Sequence, residues 1–369
     1  MFARSARLVA APVALLALLA GCAATPGPGV GETPVASSSS SVPLADLDLL
    51  ADPKAYEGPS TAVLADAAVE PVTTDPVQAL PTTVTSYDLA GDTPVTVTST
   101  ERVLGLDISG SIAATIWGLG LGDTLVGRDV STTFPGAVDL PIVTSSGHSI
   151  NSESIIALRP TLVVTDGTVG PVDVILQLRE AGIPVVFVDT EPSTAGVGDL
   201  ARQVAAAFGA AEAGDLLAAK LATDIEAKVA EIAAIAPSSP GDKLRILFLY
   251  LRGAAGVYYL FGEESGADEL VESLGGIDVA GEIGWDGMKP MTDEALIAAN
   301  PDLILVMTGG IESVDGVDGL LATKPAIALT SAGKHRRFVD MADGEILSFG
   351  PRTPAVLDAL ARAVYAPEG

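Results

Sequence analysis

An apolar run, Ile246-Leu247-Phe248-Leu249-Tyr250-Leu251-Arg252, carries a phenol and a guanidinium two residues apart. Strand side chains alternate faces, so if this run is a strand, Tyr250 and Arg252 share one face. A phenolate is a hard ligand for ferric iron, but free tyrosine titrates near about pH 10, so a neighbouring cation is needed to favour the charged form. Arg252 is placed to supply it. The second candidate is His148, in the polar loop Ser145-Ser146-Gly147-His148-Ser149, after the apolar segment Leu140 to Val143 and before a helical pattern opening at Glu153. Both positions fall at the carboxyl ends of strand-like segments, where open α/β sheets bind ligands.

Arg4 and Arg7 precede an apolar segment from Leu8 to Ala20, the length of a signal-peptide core and too short to span a membrane as a mature helix. It runs into Leu19-Ala20-Gly21-Cys22, which looks like a bacterial lipobox with Cys22 as the acylated residue; it is the only cysteine, so no intrachain disulfide forms. The chain holds 20 Lys+Arg against 47 Asp+Glu, a net charge of -27, and loss of Arg4 and Arg7 on cleavage makes it -29. Nucleic acid is excluded as a partner on that charge, and any anionic ligand needs locally placed arginines. Residues 22–83 are rich in proline and acidic groups, with a serine run from Ser38 to Ser41, and are expected to be an extended tether. From Val84 onward the pattern is α/β, beginning with a hairpin expected between Val95–Thr98 and Arg102–Asp107. About 285 residues suggests two lobes. An internal echo supports that: Glu153-Ser-Ile-Ile-Ala-Leu-Arg-Pro160 and Glu294-Ala-Leu-Ile-Ala-Ala-Asn-Pro301 each end a helix at a proline and start a strand. Between them, Val197 to Ala236 reads as one long helix, with a break near Gly209.

These features together resemble a known family. The lipobox, the paired Glu-x-x-Ile-Ala-x-x-Pro-x-Leu units, Ala181-Gly-Ile-Pro184-Val-Val, Leu274-Gly-Gly276 and the long central helix are similar to the helical-backbone class of ABC-transporter substrate-binding proteins, which serve ferric siderophores, cobalamin and haem. Within it the chain looks most like the haem-binding lipoproteins of actinobacterial haem-uptake transporters, a likeness that Gly350-Pro-Arg-Thr-Pro354 shares. The resemblance implies an α/β fold with two Rossmann-like lobes joined by a long backbone α-helix and a ligand cleft between the lobes. The resemblance covers about residues 84–365 and not the tether, and the chain as a whole divides into a lipoprotein signal peptide (1–21), the tether (22–83), an N-terminal lobe (84–192), the connecting helix (193–238) and a C-terminal lobe (239–369). It implies haem b as transported ligand, with iron held by His148 and Tyr250 and the phenolate supported by Arg252; both residue types are attested haem ligands. Tyr258, Tyr259, Trp285, Met288 and Arg128 are candidate pocket residues, the aromatics and Met for a porphyrin face and Arg128 for a propionate or a local carboxylate. Glu153 and Glu264 match the glutamates, one per lobe, that dock such proteins on permease arginines. His335, within Lys334-His335-Arg336-Arg337, reads as part of a solvated basic turn.

The implied role is binding without turnover, on the extracellular face of the cell membrane of a Gram-positive-like actinobacterium, with a lipid anchor at Cys22. The implied partners are haem, the permease and ATPase subunits of the importer, and an upstream haem-donor protein. The competing readings are the same fold carrying a ferric siderophore or cobalamin, an exported hydrolase, and a non-binding wall lipoprotein. Two histidines and no Gly-x-Ser-x-Gly elbow argue against the hydrolase.

Overall fold

Segments that are apolar on both faces become central parallel strands, because only helices packed on both sides of a sheet can cover them. The computed structural model describes residues 35–38 and 42–368, apart from 146, 254, 255, 286 and 291. Residues 1–34, with the signal segment and Cys22, and 39–41 lie outside the described residues. Along the chain come β1 (Val35–Ser38), β2 (Ser60–Val63) and a hairpin of β3 (Thr82–Ser86) with β4 (Thr93–Val97). The first lobe follows: β5 (Val103–Leu106), α1 (Ser111–Ile116), α2 (Ser152–Leu158), β6 (Leu162–Thr165), α3 (Val172–Glu180) and β7 (Val185–Phe187). Its sheet is parallel in the order β5-β6-β7, and every strand residue is buried.

Two helices, α4 (Gly196–Ala207) and α5 (Ala211–Ile235), lead to the second lobe. The connecting segment is thus broken, at Gly209, which has φ 65° and whose missing Cβ would stand 2.5 Å from the Ala79 carbonyl oxygen. Only glycine fits that close approach. The second lobe contains β8 (Arg245–Arg252), β9 (Val257–Phe261), α6 (Ala267–Ser273), β10 (Ile277–Asp278), α7 (Val279–Glu282), β11 (Met288–Pro290) and α8 (Asp293–Ala299). It continues through β12 (Leu303–Met307), α9 (Thr308–Glu312), α10 (Gly316–Thr323), α11 (Pro325–Ala328), α12 (Ser331–Lys334), β13 (Phe338–Met341) and α13 (Thr353–Tyr365). Its sheet runs β1-β2-β13-β12-β8-β9-β11, with β10 beside the start of β8. The parallel β12 and antiparallel β9 flank β8.

The echo between the lobes has a shared physical basis. Asn151 and Thr292 cap α2 and α8 with side-chain oxygens, and each helix ends in a left-handed residue, Arg159 at φ 48° and Asn300 at φ 41°, directly before its proline. A residue before proline avoids the right-handed helical region, so the helix must stop there. One apolar cluster joins the lobes: Ile112 and Phe134 of the first, Leu217 and Leu221 of α5, and Phe248 and Leu305 of the second. A shared core of this kind limits lobe movement.

Three expectations fail. Residues 42–83 do not form a tether: Ser60–Val63 is a parallel strand beside β13, and Leu44, Ala62, Leu64 and Val69 are buried in the shared cluster. The apolar residues are sparse but spaced to reach the core, while the prolines occupy connections that need no backbone donor. The hairpin pairs β4 with β3 upstream rather than with Arg102–Asp107; the buried β5 joins the parallel sheet instead. Leu140 to Val143 is no strand; Ile142 makes an isolated bridge with Arg128.

Candidate functional site

Tyr250 and Arg252 do share a face of β8. The Arg252 guanidinium lies 4.6 Å from the centre of the Tyr250 ring, donates through Nη1 to the Leu251 carbonyl at 2.8 Å, and pairs through Nη2 with Asp343 Oδ2 at 2.8 Å. Cation–π attraction and charge both favour a guanidinium above an electron-rich ring. On the other side, Tyr250 stacks on Phe261 at 5.4 Å, which stacks on Phe248 at 5.2 Å. The ring is therefore fixed, and the residue is partly buried.

Register settles the neighbouring aromatics. Tyr259 is directly opposite Tyr250, and Met288 opposite Phe261, so both lie on the Tyr250 face; Met288 is 61% exposed there. Tyr258 is opposite Leu251 and faces the other way, with Lys324 Nζ 4.1 Å above its ring. Trp285 packs with Tyr258 against that opposite cluster. Arg128 uses Nη1 to bind the Asp129 and Thr132 carbonyls at 3.2 and 3.1 Å.

His148 sits in the first-lobe loop at φ 55°, with its N–H donating to the Ser145 carbonyl at 2.9 Å and its carbonyl accepting from Gly170 at 3.3 Å. A left-handed conformation at a non-glycine residue marks a backbone held by its surroundings. The imidazole is half buried, and its Nδ1 has no hydrogen-bond partner among the described residues. Burial pushes its pKa down, as does the charge of Arg252; Asp107 and Asp343 push the other way. Arg252 and Asp343 belong to the second lobe, so His148 of the first feels charges from across the two lobes. Neutral imidazole is the form that binds metal.

Beneath His148 lies a group of aspartates that sequence reasoning missed. Asp107, at the end of β5, caps α1 through the Ser111 and Ile112 N–H groups at 2.8 and 3.0 Å. Asp129 accepts from Ser131 and Thr132 N–H at 2.6 and 2.9 Å and from the Asp107 N–H at 3.2 Å. Burial, with the negative charge of Asp107 added, raises Asp129 to about 7 and Asp166 to about 6. An acidic residue directly after a buried parallel strand, as in Leu106-Asp107 and Thr165-Asp166, was the available signal.

An unfolded aspartate titrates near about 3.9, so folded Asp166 binds its proton more tightly, and stability from this group is greatest below about pH 4 and lost as pH rises through about 6. Asp166→Asn keeps an acceptor for the Thr168 N–H and Oγ, bonded now at 2.9 and 2.6 Å. Urea unfolding at about pH 5 and about pH 8 should show a smaller loss of stability across this range for D166N than for wild type. Equal losses would mean that Asp166 titrates as an ordinary carboxylate.

Glu153, in the first turn of α2, and Glu264, at φ 68° after β9, are both exposed, one on each lobe. Glu264 borders a hollow of about 1000 Å³ whose walls include Glu263, Asp268, Glu269, Glu272 and Asp278. Carboxylates make up much of the lining of that hollow, a field that disfavours an anionic ligand.

A family model described as periplasmic binding protein matches residues 108–343. An uncharacterized ABC transporter substrate-binding lipoprotein, YvrC of Bacillus subtilis (strain 168), is 27% identical over 256 residues, 68% of this chain and 76% of that one. The solved structure of the heme binding protein HmuT is 38% identical, covers 85% of this chain and 99% of its own, and superposes with a TM-score of 0.79. That protein has also been solved with alanine in place of a histidine, a tyrosine, and an arginine two positions after that tyrosine. The periplasmic heme-binding protein RhuT from Roseiflexus sp. RS-1 is 36% identical, covers 73% of this chain and 99% of its own, and gives a TM-score of 0.63.

Proposed function

The chain belongs to the periplasmic binding protein family, and from that premise we propose that it is the substrate-binding component of an ABC importer whose cargo is haem. One observation carries the reading: His148 of one lobe, whose Nδ1 has no hydrogen-bond partner among the described residues, lies in the field of the guanidinium that covers Tyr250 of the other. Haem iron accepts both donors, and each lobe supplies one, so closure on the ligand is built into the ligation. The Arg252 guanidinium sets a positive charge 4.6 Å from the centre of the Tyr250 ring. Tyr259 and Met288, on the same face as Tyr250, offer apolar and polarisable surface to the porphyrin. Tyr258 and Trp285 support the sheet from behind, and Arg128 braces its own loop. The names of the heme-binding neighbours support haem as cargo, and the two-residue spacing of Tyr250 and Arg252 recurs in the positions substituted in HmuT.

The test is a hemin titration of the purified chain starting after Cys22. Wild type should develop a shifted Soret band that saturates with hemin, and His148→Ala should change its position. Absence of a shifted Soret band in wild type would sink the reading.

Delivery requires a membrane partner. Lipid at Cys22 would hold the protein on the extracytoplasmic face, and Glu153 and Glu264 would meet basic groups of the permease. Charge reversal at both, Glu153→Lys with Glu264→Lys, should leave hemin binding intact and strongly reduce uptake by the reconstituted importer. Unchanged uptake would remove these residues from docking.

A further inference from the structure

Arg252 does not hold itself in place. Its side chain ends at a carboxylate ninety-one positions away in sequence, Asp343, on the connection between β13 and α13. Asp343 is itself gripped: Oδ2 accepts from Arg252 Nη2 at 2.8 Å, and Oδ1 accepts from the Gly309 N–H at 2.8 Å at the start of α9. A Cβ on residue 309 would stand 3.0 Å from Asp343 Oδ2, so glycine leaves the carboxylate room to settle on the backbone. The other end of the guanidinium is tied to the Leu251 carbonyl. A continuous set of contacts therefore runs from the α9 backbone through Asp343 and Arg252 to the Tyr250 ring.

We propose that Asp343 is a positioning residue of the ligand site, whose carboxylate fixes the Arg252 guanidinium over Tyr250 so that the phenol edge is presented to iron. This rests on the haem reading above. An arginine side chain has large rotamer freedom, and a planar fork locked by a carboxylate on one side and a carbonyl on the other loses little more on ligand binding. The same pair is too exposed, at 34% and 37% of the two side chains, to matter much for global stability. Site geometry and fold stability are thus separable at this residue.

The test compares wild type, Asp343→Asn, Arg252→Ala and the double variant. The measurements are hemin transfer to excess apomyoglobin, the tyrosinate-to-iron charge-transfer band, and urea unfolding of the ligand-free chain. D343N should release hemin on the order of tenfold faster and shift the charge-transfer band while its unfolding midpoint stays near wild type. In the Arg252→Ala background the same substitution should add nothing, since the group it positions is gone. A wild type without a Soret band overturns the haem reading and this inference with it. A normal wild-type Soret band with D343N matching wild type in release and spectrum, or with full additivity in the double variant, overturns this inference alone.

Discussion

Tyr250→Phe should lose hemin affinity by on the order of a hundredfold or more while unfolding at nearly the wild-type urea concentration. The magnitude is set by comparison: groups that merely orient metal ligands cost about 10- to 100-fold when removed, and the ligand itself should cost at least as much. Phenylalanine is the informative substitution because it keeps what holds the ring. The stack on Phe261 at 5.4 Å and the guanidinium at 4.6 Å from the ring centre survive without the hydroxyl. Tyr250→Ala would lose both the donor and the stacking, and some stability with it, so affinity and fold effects would be mixed. Hemin titration and denaturation of the same preparations separate the two. Wild-type affinity in Y250F would show that iron is held without the phenol, and the two-sided site would fall.

Local patterns in the chain made part of this site readable. The two-residue spacing of Tyr250 and Arg252 needs only strand alternation, and the helix stops before Pro160 and Pro301 need only proline geometry. The paired helix-to-strand units, and the periplasmic-binding-protein fold they suggested, were legible for that reason. What was not legible depends on register or on distant partners. Tyr258 and Tyr259 are adjacent, so at most one can face with Tyr250, and only the pairing of β8 with β9 says which. Asp343 pairs with Arg252 across ninety-one positions, and no local pattern joins them. The hairpin was misassigned because β4 and β5 are both β-prone; burial of every β5 residue, a tertiary property, sends that strand to the central sheet.

The largest misreading concerned residues 42–83 together with the basic turn near His335, and one side chain links the two. Arg337→Met should destabilise the protein by about 1–3 kcal/mol for each buried acceptor that it leaves unpaired. Arg337 is 1% exposed, donates to Ser60 Oγ at 2.9 Å and to the Ala363 and Val364 carbonyls at 2.9 and 2.8 Å, and lies 4.6 Å from the centre of the Tyr56 ring. The two carbonyls end α13, where a helix has no intrahelical donors left to offer, so a cation is favoured by hydrogen bonding and by the helix dipole together. Methionine fills the space but strands the Val364 carbonyl and leaves that of Ala363 with the Ser60 hydroxyl alone, at 2.7 Å. Deleting residues 35–63 removes Tyr56, Ser60 and the whole of β2, and should also destabilise. Because both changes break the same contacts, their combination should cost less than the sum. The double-mutant cycle by urea unfolding therefore tests whether the amino-terminal segment is part of the fold: a deletion that leaves the midpoint unchanged would restore the tether, whereas strong non-additivity with R337M would show Arg337 fastening β2 to the carboxyl-terminal helix.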